Sequence, residues 1–133
     1  MKYARAKIIR ALLEHFEDDN RRIDHAISVL IRAERILMDR DDCDNELVVA
    51  VALLHDVGIK ISEAKLGYND GKTQELYGPD VVEKILVGIG FAPDKIVKAK
   101  EIVGNHHSPS RYDYPELEVL KQADRIVNRQ NSK

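Results

Sequence analysis

Apolar residues recur at helical spacing from the start of the chain. Ile8, Ile9, Leu12, Leu13 and Phe16 fall on one face and predict a helix over residues 3–16. Asp18, Asp19 and Asn20 follow and offer N-caps for a second helix, from about residue 21 to about residue 38. In that helix Ile23, Ala26, Ile27, Val29, Leu30, Ile31, Ala33, Ile36 and Leu37 cover much of the circumference, which predicts a central helix contacted on several sides. Asp41, Asp42, Asp44 and Asn45 break the pattern and can cap a third helix, whose residues 47–54 are uniformly apolar. Such a run also permits a buried strand, but Ala50, Ala52 and the leucines favour helix, and this element is expected to be the most buried. Gly58 is its expected stop.

Residues 60–78 are polar, are broken by Gly67, Gly71 and Gly78, and read as a loop with room for one short helix. Long loops inside small domains are more often functional than accidental. Gly78-Pro79-Asp80 then opens a fourth helix with Pro at its first position, carrying Val81, Val82, Ile85, Leu86 and Ile89 toward Gly90. Pro93 repeats the device for a fifth helix, which Gly104-Asn105 closes near Val103. A polar segment, 106–114, leads to Pro115 and a last helix reaching about Arg129. With no internal repeat, the pattern predicts an all-α protein: one compact bundle of about six helices, a single domain over residues 1–133.

Composition narrows the function. The 21 basic and 23 acidic residues give a net charge of −2, which leaves no excess of positive charge for a nucleic-acid groove. The eight-residue apolar run falls far short of the roughly 20 needed to cross a membrane. Charges interrupt the N-terminal segment throughout, so it does not read as a secretory signal, and Cys43 is the sole cysteine; a cytoplasmic location is expected. Gly and Pro number 11 of 133, and neither occurs before Gly58.

The histidines and acids sort by context. His15, among Glu14, Glu17 and Asp18, reads as a surface residue. His55 and Asp56 directly follow the apolar run, where an ionised carboxylate is costly unless it is paired or bound to a metal. On the last helix Leu117, Leu120, Asp124 and Val127 share a stripe, so either Asp124 points inward or the stripe is offset to use Ala123 and Ile126. His25 shares a line with Val29, Ala33 and Ile36. Singly, each is more simply a satisfied polar group of the core. Together, His25, His55, Asp56 and Asp124 from three apolar helices are most economically explained as ligands of one divalent cation. Neighbouring residues on a helix point about 100° apart, so spacing alone does not bring His55 and Asp56 to one ion.

The order His25, then His55-Asp56 within Leu-Leu-His-Asp-Val-Gly, then Asp124 within Gln-Ala-Asp-Arg-Ile resembles the H…HD…D signature of the HD superfamily of metal-dependent phosphohydrolases. The resemblance spans residues 25–124. It implies an HD-domain-like helical bundle in which His25, His55, Asp56 and Asp124 bind the metal: Fe, Mn, Zn, Ni, Co or Mg. The segment Val103-Gly104-Asn105-His106-His107 is similar to the double-histidine stretch that helps hold a second metal in binuclear members, including the HD-GYP phosphodiesterases. That likeness implies a further metal or substrate contact for His106 and His107; a hydrated loop pair is the alternative. Where binuclear members place another histidine this chain has Tyr77, so one metal is expected and a second is disfavoured. Many members have Lys directly after the Gly of the hexapeptide, whereas here Ile59 separates Gly58 from Lys60.

The implied reaction is hydrolysis of a phosphomonoester, phosphodiester or phosphoanhydride of a nucleotide or other small phosphorylated metabolite by metal-activated water. Lys60, Lys65, Lys72 and Arg111 are candidate phosphate contacts, each also readable as a solvated surface charge. Glu63, Glu75 and His107 are candidates for acid–base work. Tyr68, Tyr77, Tyr112 and Tyr114 lie in polar segments, where they can line a pocket or simply tolerate half-burial. Two other readings keep the same residues: a metal- or nucleotide-binding module without turnover, and a structural helical interaction domain. An exposed apolar strip would allow a homodimer.

Overall fold

A computed structural model describes residues 1–131, which form seven helices and, among those residues, no strand. α1 spans Ala4–Phe16, α2 Asn20–Leu37, α3 Asn45–Leu54, α4 Gly58–Leu66, α5 Gly71–Gly88, α6 Pro93–Val103 and α7 Pro115–Asn131. The all-α expectation holds, and the short helix allowed for in the polar segment is α4.

The bundle is built around α3. Asp44 caps it by accepting the Leu47 N–H at 3.2 Å, and Glu46 sits in the first turn, where a negative charge complements the helix dipole. Every residue from 47 to 54 is buried because α1, α2, α6 and α7 all pack on this helix. A helix covered on all sides is apolar all round, which is why its periodicity could not separate helix from strand. The centrality expected of α2 belongs instead to α3. The buried positions of α2, Ile23, Ala26, Val29, Leu30, Ala33 and Leu37, form one stripe, while Ile31 is 45% exposed.

Two glycines act differently from the expectation. Gly58 does not end α3; it is the first residue of α4, and α3 closes at Leu54. Its place is set by crowding, since a Cβ there would lie 2.7 Å from the Gly78 nitrogen and 2.8 Å from the Gln74 carbonyl on α5. Gly78 does not open a helix either. α5 begins at Gly71, behind a capping box in which Asp70 accepts the Thr73 N–H at 2.9 Å and Thr73 Oγ1 accepts the Asp70 N–H at 2.9 Å. Pro79 therefore lies inside α5, and a Cβ on Gly78 would meet Val103 of α6 at 2.8 Å. The glycines allow α4, α5 and α6 to approach at backbone distance, which holds the turn after α3 against the rest of the bundle.

His15 is not a plain surface residue. Its ring is half-buried, and Nε2–H donates to the Val57 carbonyl at 2.9 Å, while Lys60 Nζ donates to the His15 carbonyl at 3.0 Å. α1 thus clasps the turn that carries His55 and Asp56.

Two outcomes follow for stability. Gly58→Ala forces α4 off α5 and should cost about 1–3 kcal/mol in urea unfolding. Burial holds the His15 imidazole below its ordinary pKa, although the Val57 carbonyl opposes this. The unfolded chain therefore binds more protons over that window, and stability falls as pH drops through about 6.5. His15→Gln should flatten that part of the pH–stability curve, measured by thermal unfolding.

Candidate metal centre

α3 ends at Leu54, and His55, Asp56 and Val57 form the turn that joins it to α4, with His55 and Val57 still in helical backbone conformation. His55 is fully buried, and its Nδ1–H donates to the Ala52 carbonyl at 2.8 Å. That bond uses a carbonyl the helix end leaves without a partner and aims Nε2 away from α3. Asp56 Oδ2 lies 3.3 Å from His55 Nε2 and 3.5 Å from Nε2 of His25 on α2. From α7, Asp124 Oδ1 lies 3.1 Å from His25 Nε2 and 3.5 Å from His55 Nε2. The α7 stripe is the offset one, Leu117, Leu120, Ala123 and Val127, with Asp124 at its edge reaching inward and 14% exposed.

The other oxygen of Asp56 faces a second group. Oδ1 lies 3.8 Å from His106 Nε2. His106 donates from Nδ1 to the Val103 carbonyl at 2.6 Å, the same device that orients His55. The His107 ring lies tilted at 44° against it, 4.0 Å between centroids, and bonds through Nε2 to Gln74 Oε1. His25, His55 and Asp56 offer ligand atoms within 4.8 Å of one another, and so do Asp56, His106 and His107, with Asp56 common to both sets. The double histidine therefore lies beside Asp56, with His106 buried and His107 exposed. Tyr77, whose presence argued against a second ion, lies under Lys65 with 5.3 Å from Nζ to the ring centre; donors for a second ion are present without it.

The electrostatics favour a cation here. Burial opposes charge on His55, yet Asp56 and Asp124 outweigh it and raise its pKa well above the ordinary imidazole value. Burial likewise opposes ionisation of Asp56 and Asp124, and the imidazoles around them outweigh it, holding both carboxyls well below the usual range. Two carboxylates thus stabilise positive charge at the point where the Nε2 atoms converge. His106 Nε2 is buried with no hydrogen-bond partner, the one such side-chain atom among the described residues. An imidazole lone pair left unsatisfied beside a carboxylate fits a divalent ion of borderline hardness. The donor set passes that test.

A cavity of about 930 Å³ opens on His25 and Asp56 and is lined also by Arg21, Arg22, Asp24, Ser28, Ile59, Asn69 and Asn128. Sequence reasoning missed Arg21 and Arg22. The signal was present, because they precede His25 by four and three positions and so share its face of α2. Arg22 binds both oxygens of Glu63, at 3.0 and 3.1 Å. Arg21 makes no ion pair among the described residues.

Other candidates stand elsewhere. Lys60 turns to α1, donating to the His15 carbonyl and to Glu17, both at 3.0 Å, so it is not a phosphate contact. Lys65 covers Tyr77, Lys72 is exposed in the first turn of α5, and Arg111 donates to the Gly104 carbonyl at 3.2 Å; none lines the cavity. Glu63 is held below its ordinary pKa chiefly by its bonds from Arg22, which makes it a poor proton carrier near neutrality. Glu75 accepts the His107 N–H at 3.0 Å and the Ser108 hydroxyl at 2.5 Å, so it anchors the double-histidine turn. The tyrosines do not line the cavity: Tyr112 and Tyr114 stack on each other at 5.4 Å, and Tyr68 is exposed.

An all-α bundle whose imidazoles and carboxylates converge at the end of its central helix has a donor set that could hold a divalent cation. Residues 22–129 match the family model of the HD domain, and the chain belongs to that family. It is also similar to the crystal structure of a predicted HD superfamily hydrolase from an uncultured Thermotogales bacterium, with a TM-score of 0.70 and 25% identity. That match covers 96% of this chain and 74% of the other. No curated protein matches the chain.

His106→Leu separates metal affinity from stability. Leu removes the partnerless Nε2 but also the Nδ1–H that satisfies the buried Val103 carbonyl, so the metal-free protein should lose no more than about 1–3 kcal/mol, while Zn²⁺ affinity falls by a larger factor than stability, read by chemical unfolding and by calorimetric titration. Asp124→Ala should reduce the metal content found by elemental analysis.

Proposed function

We propose that the protein is a metal-dependent phosphohydrolase acting on a small phosphorylated metabolite. The observation that carries this reading is Asp56, whose two oxygens face two sets of imidazoles at the floor of an open polar cavity. His25, His55, Asp56 and Asp124 would hold the cation, with His106 and His107 available to a second ion or to the substrate. When bound, such an ion supplies Lewis-acid polarisation of a phosphoryl oxygen and acidifies water.

The chain's own residues supply the rest. Arg21 brings an unpaired guanidinium to the cavity on the face of α2 that carries His25, suited to clamp a phosphate through two parallel N–H donors. Ser28, Asn69 and Asn128 add neutral polar groups to the wall. His107, whose pKa burial lowers below the ordinary value, is neutral near pH 7 and able to accept a proton. Among the described residues no Phe or Tyr ring lines the wall, which favours recognition through the phosphate over stacking on a base. The volume is in the range of small-molecule sites, roughly 300–1,000 Å³.

The test is a panel of phosphomonoesters, cyclic phosphodiesters and nucleoside polyphosphates assayed with Mn²⁺, Co²⁺, Zn²⁺, Ni²⁺ and Mg²⁺. Sustained product formation, read as free phosphate from monoesters and polyphosphates and as the ring-opened monoester from cyclic diesters, that Asp56→Asn abolishes is expected; tight binding with no product would indicate a sensor module instead. Arg21→Ala should raise KM about tenfold or more with a smaller effect on kcat, as expected for loss of a charged contact worth about 1.5–3 kcal/mol.

A further inference from the structure

His107, exposed where His55 and His106 are buried, differs from those two imidazoles in how its ring is fixed. His55 and His106 each donate from Nδ1 to a backbone carbonyl, Ala52 and Val103, which leaves Nε2 as the lone-pair nitrogen. His107 has no such carbonyl. Its Nε2 bonds instead to Gln74 Oε1 at 2.5 Å, and the ring lies against Gly71, where a Cβ would come within 3.0 Å of the His107 Cβ and 3.1 Å of its Cγ.

Gln74 is buried and belongs to a chain of side chains that ends at the cavity wall. Its Nε2 donates to Asn69 Oδ1 at 2.9 Å, Asn69 Nδ2 donates to Glu63 Oε2 at 2.9 Å, and Arg22 grips both Glu63 oxygens. The polarity of this chain has one solution. An ionised carboxylate only accepts, so Asn69 must present its NH₂ to Glu63 and its oxygen to Gln74. Gln74 must then present its NH₂ to Asn69 and its oxygen to His107. That oxygen can only accept, so the proton of a neutral His107 ring must sit on Nε2.

We propose that Arg22, Glu63, Asn69 and Gln74 form a positioning relay that locks His107 in its Nε2–H tautomer and leaves Nδ1 as its lone-pair nitrogen. The four residues act through His107 and touch neither Asp56 nor His106 in any recorded bond. The relay spans α2, α4, the 67–70 turn and α5, so it also ties the tautomer to the cavity rim on which Arg22 stands. Its use for binding a cation rests on the function proposed above; the tautomer does not.

The experiment is long-range ¹H–¹⁵N NMR on the full chain labelled with ¹⁵N-histidine, about two pH units above the ordinary imidazole pKa of about 6.5, with His107→Asn to assign the ring. In the parent, the His107 Nε2 signal should fall in the protonated range and Nδ1 in the unprotonated range. Glu63→Gln keeps the shape but replaces an obligate acceptor with an amide that can also donate, so the two signals should move toward each other as tautomers mix. Asn69→Ala cuts the chain at a half-buried turn position and should do the same, which keeps the test decisive should Glu63→Gln fail to fold. A proton on Nδ1 in the parent, or two signals unmoved in every folded variant, overturns the relay. Zn²⁺ added to the parent should shift Nδ1, and Glu63→Gln should weaken Zn²⁺ binding about tenfold. If the tautomer behaves as stated but Zn²⁺ leaves Nδ1 unmoved, the relay stands and the role of His107 in cation binding falls.

Discussion

The structure depends on a charge placed where a fold would ordinarily avoid it. Asp56 and Asp124 sit at the end of the most buried helix and are 14% exposed, against imidazole nitrogens 3.1 to 3.8 Å away. Carboxylates so placed are tolerable only if positive charge is supplied locally. His55, whose pKa Asp56 and Asp124 raise, is one source of it, and the other nitrogens of His55 and His106 are committed to backbone carbonyls. Each commitment aims Nε2 inward, and His106 shows the cost, a buried nitrogen with no partner. A site of this kind is under electrostatic tension that a divalent ion relieves, and the helices around it serve to keep the ligands from relaxing away.

That tension is why so much of the centre was legible in the sequence. A doublet such as His55-Asp56 after eight apolar residues, and single polar residues such as His25 and Asp124 on or beside apolar stripes, are anomalies of pattern, and pattern is what a sequence displays. Convergence was not legible, because it depends on how α2 and α7 bring His25 and Asp124 against the doublet at the end of α3. The same limit explains Glu75 and Lys60, whose chemistry suited catalysis or phosphate binding but whose partners, Ser108 and Glu17, are 33 and 43 positions away. Arg21 and Arg22 were readable by their spacing from His25, since three or four positions on a helix is one face.

The fold errors share one cause. Glycine and proline read as punctuation in a sequence, yet Gly58, Gly78 and Pro79 all lie within helices. Gly58 and Gly78 are small because α4, α5 and α6 cross at backbone distance, and close approach leaves no trace in hydrophobic periodicity. The true start of α5 was marked by Asp70 and Thr73, a capping pair embedded in a stretch polar enough to read as loop. Local polarity hid a tertiary requirement: this polar segment supplies Glu63, Asn69 and Gln74, which connect the cavity rim to the second imidazole pair.

The clasp of α1 on the turn after α3 bears on where the functional unit begins. The family match starts at residue 22, beyond α1, yet Ile8, Leu12 and Phe16 are buried in the common core, and His15 supplies the hydrogen bond that the Val57 carbonyl receives. A fragment trimmed to the matched segment would expose one flank of α3 and release the hinge bearing the ligand doublet. The boundary drawn by shared sequence and the boundary drawn by mechanical integrity are therefore different, and in this protein the second encloses an additional helix that holds no ligand but keeps the ligands in register.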